Sequence, residues 1–500
     1  MFPILILLVP LIGALTINYY SKNERIVKYF PLIVSFVVSL IIIIYTIFND
    51  LSHISSFNQF ITLYDIFPSL NVSMSFSITK ISISLLFLSN IAIITALFST
   101  LNLKKRVNEI NSLILIISVG IYGLIISNDL FVFFLFYEIA VVPMFLMIMN
   151  WGYDLRREVS GPFKNILNSL NVGTKKYGAY KITLYLIAGS LMIFLGLAIL
   201  GISAGTFSIR ELLISDVNFK HLELSFILLF LGFGSHSALW PLHTWAPDGH
   251  GTAPTAGSII FAGILMKIGI IGFIKIIIPI FNYTFIDYSN LLIFLASINI
   301  VYGAFTAMMQ DDLKYMAAYA SLSHIGYIFL ALAMNNEVGY SSAILQTISH
   351  GLTISLLFFA VGLIQQMKGT RSIKKLNSLA DNSPTLSYIF IFCAFASIGF
   401  PLTSGFIAEF LIMNSIILNG QYLLIIIPLF GIFITTLYMF RVVKKICLKY
   451  VPGTNNSTDL NPQERYTCLL LVIIICIIGI FPNFFLNFIN GEYIKITLGG

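Results

Sequence analysis

Fourteen long apolar runs constrain what this chain can fold into. They occupy residues 2–19, 28–48, 79–101, 110–126, 128–150, 178–203, 223–246, 255–281, 289–310, 312–334, 338–367, 384–418, 421–443 and 466–489. Each has about the length, roughly 18 residues, that a helix needs to cross the hydrocarbon core of a bilayer. The runs are continuous apolar blocks, whereas a transmembrane barrel is built from alternating strands of about ten residues. The expected fold is therefore an all-α polytopic membrane bundle of about 14 helices. Only 10% of the residues are charged, against about 25% in soluble globular domains, so little chain is left for an aqueous domain. The first run lacks a basic leader and a small-residue cleavage site, and reads as a retained helix.

Lysine and arginine sort by side. If every run spans, 22 of the 28 fall in or beside the loops after odd-numbered runs, five fall opposite, and Lys267 lies inside a run. One missed span would mix the two sets. By the positive-inside rule, both termini face away from the cytoplasm or matrix. The net charge of +7 thus reflects orientation, not affinity for nucleic acid. Cys393, Cys447, Cys468 and Cys476 lie in or beside apolar runs without CxxC spacing, which points to packing and away from disulfides or metal.

Two runs carry helix breakers. The seventh leads into Trp240-Pro241-Leu242-His243-Thr244-Trp245-Ala246-Pro247-Asp248, and the twelfth contains Gly399-Phe400-Pro401-Leu402-Thr403-Ser404-Gly405. Proline removes a backbone donor and clashes with the preceding turn, so Pro241, Pro247, Pro401 and Gly405 mark breaks in these helices. Five spans separate the breaks, which gives them opposite orientation, as expected of two inverted repeats. Carbonyls freed there must face protein or water. The longer loops at 49–78, 152–177 and 204–222 are each too short to hold a core.

Charge inside a span costs a few kcal/mol or more unless relieved, and usually marks an ion or proton path. Glu138, Lys267 and Glu409 lie near the middle of their runs. Glu138 precedes Pro143 by five residues; its bland reading is a protonated carboxyl that hydrogen-bonds between helices. Lys267 is too far from either interface to snorkel, and its bland reading is a permanent Lys–Glu pair. His324 has Ser321 and Tyr327 on its face, and His350 has Gln346, Thr347 and Thr353, giving polar stripes that can hold water and pass protons. His243, Asp248 and His250 lack the helical spacing of a metal pair, so no metal site is expected. No GxGxxG opens a helix after a strand, no GxxxxGK[ST] occurs, and no cysteine set suits an iron–sulfur cluster, so no cofactor is expected in this chain.

The stretches Pro241-Leu242-His243-Thr244-Trp245-Ala246-Pro247-Asp248-Gly249-His250, Ala253-Pro254-Thr255-Ala256-Gly257-Ser258, Ser321-Leu322-Ser323-His324-Ile325-Gly326 and Gly405-Phe406-Ile407-Ala408-Glu409-Phe410 resemble the antiporter-like subunits of proton-pumping NADH:quinone oxidoreductase, respiratory complex I. The resemblance covers essentially all 14 runs. Within it, Glu138-Ile139-Ala140-Val141-Val142-Pro143-Met144 looks most like the subunit 4 group. It implies a first antiporter-like repeat at 110–281 and a second, inverted one at 282–449. They are flanked by 1–109 (three helices and an outside loop) and 450–500 (the last helix).

It also implies a proton route through Glu138, His236, Lys267, His324, His350 and Glu409. His236 stands where the family usually has a lysine paired with the glutamate, so that coupling is expected to be weaker or more pH-dependent. NADH, FMN, iron–sulfur clusters and ubiquinone would belong to other subunits. Implied partners are the neighbouring antiporter-like subunits 2 and 5, the lateral helix of subunit 5, and lipids such as cardiolipin. Rival readings are a subunit of a multisubunit cation/proton antiporter, or a structural subunit whose pathway has decayed. The Ile and Phe excess points to an AT-rich organelle genome, and hence the mitochondrial inner membrane ahead of a bacterial plasma membrane.

Overall fold

Apolar length alone produces most of the helices. In the computed structural model, residues 2–48, 60–154, 171–214, 222–449 and 459–489 are described. Among them, twelve helices are long and apolar enough to cross a membrane. Three shorter apolar helices complete the expected set: Leu222–His236 is the seventh run, and Pro384–Ile398 and Ser404–Leu418 are the halves of the twelfth. The chain forms two compact units, and the division cuts through Thr255–Ile280: residues Met1–Ser237, Ile264–Tyr288 and Ile489–Gly500 against Ala238–Gly263 and Ser289–Phe488. The central part of the 152–177 loop, residues 155–170, lies outside the described residues.

The first unit contains α1 (Phe2–Tyr19), α2 (Glu24–Phe48), β1 (Phe60–Phe67), β2 (Val72–Ser77), α3 (Lys80–Thr100), α4 (Val107–Ile126), α5 (Leu130–Trp151), α6 (Lys175–Ala204) and α7 (Leu222–His236). Small residues let the helices approach closely, as membrane bundles require. At Gly120 of α4 a β-carbon would strike the α5 backbone at Ala140. The N-terminus of α5 is fixed by Asp129, whose carboxylate accepts the N–H groups of Phe131 and Val132. The same carboxylate accepts the N–H of Ser73 at 3.1 Å, tying the antiparallel β1–β2 hairpin to the α4–α5 turn. This hairpin lies in a segment expected to be only a loop. Its β-branched and aromatic residues Ile61, Thr62 and Tyr64 favour strand once a partner is close.

The second unit contains α8 (Trp245–Thr252) and the start of α9 (Thr255–Ile280). It continues with α10 (Ser289–Met308), α11 (Leu313–Ala333), α12 (Glu337–Lys368), α13 (Pro384–Ile398), α14 (Ser404–Leu418), α15 (Tyr422–Leu448) and α16 (Pro462–Ile480). One side chain bridges two backbone groups of the seventh-run break. Buried Asn299 accepts the Trp240 N–H at 2.7 Å and donates to Ala238 O at 3.2 Å. The carbonyls at the end of α8 are met by cations. Lys314 donates to Ala253 O at 2.8 Å, and Arg371 donates to Gly251 O at 2.7 Å and to Asp312 Oδ2 at 2.6 Å. Lys314, in the first turn of α11, is fully buried. At the twelfth-run break, Gly399 (φ +74°) ends α13 and accepts the strained turn that a side chain would oppose.

Candidate functional site

Two clusters of protonatable groups are assembled, one in each unit. In the first, α5, α6 and α7 converge. Consecutive residues of α6 serve both members of the expected pair: the Ser190 hydroxyl donates to Glu138 Oε1, and Gly189 leaves room for the His236 ring, where a β-carbon would sit 2.9 Å from Nδ1. His236 Nδ1 lies 3.0 Å from Gly232 O, four residues earlier, and its ring meets Tyr137 edge-on at 4.7 Å between centroids. Among the described residues, His236 Nε2, Tyr137 Oη and Ser237 Oγ are buried polar atoms without hydrogen-bond partners. Buried polar groups of this kind call for water or a protonation partner.

Glu138 and His236 do not form a direct ion pair among the described residues. Tyr137 and α6 contact the imidazole, and Ser190 holds the carboxyl. Histidine is shorter than the usual lysine, and its Nδ1 is already engaged by its own helix, so it does not reach across. Glu138 is half-buried, on the same helix face as exposed Leu135 and Val142. Pro143 sits inside α5, which stays one helix through it.

Lys267 lies fully buried within α9, directly after a π-helical turn at Phe261–Leu265 and before another at Phe273–Ile277. Single π turns in α-helices re-aim side chains and are frequent at functional sites. Two residues on, Gly269 presses against Phe233 O and Ser237 of the α7 end, so α9 and α7 touch backbone to backbone beside His236. Proline and glycine spacing gave no hint of these π turns.

The second cluster joins α11, α12 and α14. His324 Nδ1 stands 3.6 Å from Glu409 Oε1, and Gln346 Nε2 lies 3.4 Å from the same nitrogen. The His324 and His350 rings stack, 5.4 Å between centroids at 26°. All three side chains are buried, Glu409 at 4% exposure. Gln346, Ser349, Thr353 and Ser397 help line a cavity of about 10 Å³ beside them, room for about one water. Of the stripe read from the sequence, Gln346 and Thr353 reach this cavity, whereas Thr347 donates to Ala343 O at 2.7 Å; among the described residues Gln346 Oε1 and Thr353 Oγ1 have no hydrogen-bond partner. Tyr327, on the same α11 face, packs near His324 and donates to Pro428 O at 2.7 Å.

His243, Asp248 and His250 do not converge. His243 lies edge-on to Tyr302, Asp248 accepts from Tyr315 Oη at 3.1 Å, and His250 stacks on Phe358. Cys393, Cys447, Cys468 and Cys476 are free thiols.

Comparison with known proteins identifies the family. Residues 127–435 match the family model described as NADH:quinone oxidoreductase/Mrp antiporter, TM. NADH-quinone oxidoreductase subunit M of Rickettsia prowazekii (strain Madrid E) is 30% identical, covering 96% of this chain and 95% of that one. NADH-ubiquinone oxidoreductase chain 4 of Chondrus crispus is 31% identical, covering 99% and 97%. A chain from the structure of respiratory complex I from Thermus thermophilus with bound NADH superposes with a TM-score of 0.84 at 22% identity, covering 99% of both chains. The chain belongs to the NADH:quinone oxidoreductase/Mrp antiporter membrane family.

Proposed function

We propose that this chain is a proton-translocating membrane subunit of an NADH:quinone oxidoreductase, with electron transfer carried by other subunits. The single observation that supports it most is the buried His350–His324–Glu409 array, in which an imidazole and a carboxyl share a buried site with room for about one water. Such a pair accepts and passes a proton without leaving an isolated charge in low dielectric. Glu138, steadied by Ser190, and His236 form the switch that sets the protonation of Lys267. Lys267 takes its proton from the basic-loop side, His324 and His350 carry it onward, and Glu409 releases it on the other side. Residues 110–281 and 282–449 act as two inverted repeats around these groups.

The partners are the flanking antiporter-like subunits 2 and 5 and the lateral helix of subunit 5. A half-buried carboxyl between exposed Leu135 and Val142 is suited to a neighbouring subunit and ill-suited to lipid. NADH, FMN, iron–sulfur clusters and ubiquinone are held elsewhere in the complex. The membrane is the mitochondrial inner membrane, with both termini in the intermembrane space; the 22-to-5 division of basic residues supports that orientation.

The test is transport by the purified complex in sealed vesicles. NADH-driven proton movement that needs no sodium supports this reading. Sodium-dependent transport without NADH oxidation supports the antiporter alternative, which the family description also embraces.

A further inference from the structure

The cavity beside Glu409 has a polar wall that the route above does not use. Ser349, the residue before His350 on α12, lines it together with Glu409. The Ser349 hydroxyl lies 2.7 Å from that of Ser404, the first residue of α14, and either oxygen can be the donor. Both residues are buried, at 2% and 0% exposure. Ser404 follows the break between α13 and α14, where Phe400 and Leu402 are 48% and 63% exposed. Two glycines leave room for this arrangement. A β-carbon at Gly405 would stand 3.0 Å from Ala396 O and 3.7 Å from Ser349 Oγ, and one at Gly399 would collide with Glu409 Oε2. Glu409 thus turns one oxygen to His324 and the other to the break.

Other hydroxyls of α12 are engaged by their own helix: Ser342 donates to Gly339 O, Thr347 to Ala343 O and Ser355 to Gly351 O. A hydroxyl locked onto a carbonyl holds its proton in place, because the carbonyl has none to pass on. Among the described residues, the Ser349 and Ser404 hydroxyls bond to each other and not to their own helices. A hydroxyl both donates and accepts, so this pair can reverse its direction with no oxygen moving. We propose that Ser349 and Ser404 form a hydroxyl relay that carries the proton from the Glu409 cavity to the break before α14. In one concerted step a proton arrives on Ser349 Oγ, the Ser349 proton crosses to Ser404 Oγ, and the Ser404 proton leaves for an acceptor at the break. One O–H bond forms and one breaks on each oxygen, and no charge stays behind. Backbone that leaves a helix at membrane depth must meet water or protein, which supplies that acceptor. The inference rests on the proton route proposed above and details its last step.

The experiment is the proton-to-electron ratio of the whole complex in sealed vesicles, with Glu409→Gln measured in parallel. Ser404→Ala and Ser349→Ala cut the relay from two different helices, and each should lower the ratio to the Glu409→Gln value. Ser404→Thr keeps the hydroxyl and should hold the wild-type ratio. Ser404→Asn separates relay from support, because its amide can still bond the Ser349 hydroxyl and tie α12 to α14 but does not pass a proton on. The relay predicts a lowered ratio in Ser404→Asn as well, whereas a purely structural tie predicts the wild-type value. A wild-type ratio in either alanine variant or in Ser404→Asn would overturn the relay. If Glu409→Gln lowers the ratio while the serine variants do not, the relay falls and the route stands; if Glu409→Gln also leaves it unchanged, both fall. Since α12 and α14 each carry a variant, one that fails to assemble leaves the test intact.

Discussion

His324 Nδ1 lies 3.6 Å from Glu409 Oε1, with both side chains buried in one unit. One proton shared between them keeps the pair neutral overall, whether it sits on the carboxyl or the imidazole is ionised against a carboxylate. Losing one partner of a buried pair leaves an isolated charge, which costs about 3–5 kcal/mol. Glu409→Gln keeps the shape and removes the proton acceptor. The expected outcome is an assembled complex whose proton-to-electron ratio is reduced, with Glu409→Asp recovering part of it. Proton uptake per NADH oxidised, measured in sealed vesicles, checks this.

Ser190 and Gly189 act on Glu138 and His236 from one turn of α6. Ser190→Ala removes a hydroxyl bonded to a carboxyl, and hydrogen bonds to charged groups contribute about 1.5–3 kcal/mol. Proton-coupled turnover should fall about tenfold or more, and Ser190→Thr should restore most of it. Gly189→Ala forces the imidazole aside, and overpacking of this kind costs about 1–3 kcal/mol. Equal turnover in Ser190→Ala and wild type would remove Ser190 from the account.

Asn299 supports the break after α7: beside a long bond to Leu322 O at 3.5 Å, it serves the Trp240 N–H and the Ala238 carbonyl, which no regular helix pairs. Asn299→Leu leaves them buried and unsatisfied, at about 1–3 kcal/mol for each group. The complex should unfold at lower temperature by thermal-shift measurement, and Asn299→Asp should lose only the half served by the amide nitrogen.

Outside the spans, Asp459 accepts the Thr385 hydroxyl at 2.5 Å and the Thr385 N–H at 3.2 Å. Partial burial raises its pKa, but these bonds and those from Leu460 and Leu386 outweigh it and hold the carboxyl below its ordinary range. A carboxyl with a depressed folded value stabilises above its unfolded pKa of about 3.9 and loses that contribution as pH falls through the folded value. Asp459→Asn should therefore destabilise at neutral pH and be nearly silent at the acid end, where the wild-type carboxyl is itself protonated. Thermal unfolding at both pH values distinguishes the two.

Much of the fold was legible because the bilayer imposes a length. Apolar runs such as 338–367 have no other stable use, and proline at 241 and 401 broke helices where sequence logic puts breaks. Of the polar stripe on α12 that periodicity suggests, Gln346 and His350 meet His324, while Thr347 bonds its own helix at Ala343 O. What stayed hidden depends on contacts between distant segments. Ser190 and Gly189 look like ordinary small residues of a span until α5 and α7 are packed against them. The π turns flanking Lys267 leave no mark in residue type. The β1–β2 hairpin is ordered by Asp129, more than fifty residues away in sequence. The coupling of His236 to Glu138 was expected to be weak; that His236 engages Gly232 O and Tyr137 depends on how α5 and α7 pack, which residue type does not reveal.

The most direct test is the proton-to-electron ratio of the complex with Lys267→Met, a substitution that fills a fully buried site with a similar volume and no proton. The account predicts normal assembly and NADH oxidation at a ratio lowered by this subunit's share. A ratio identical to wild type would contradict it.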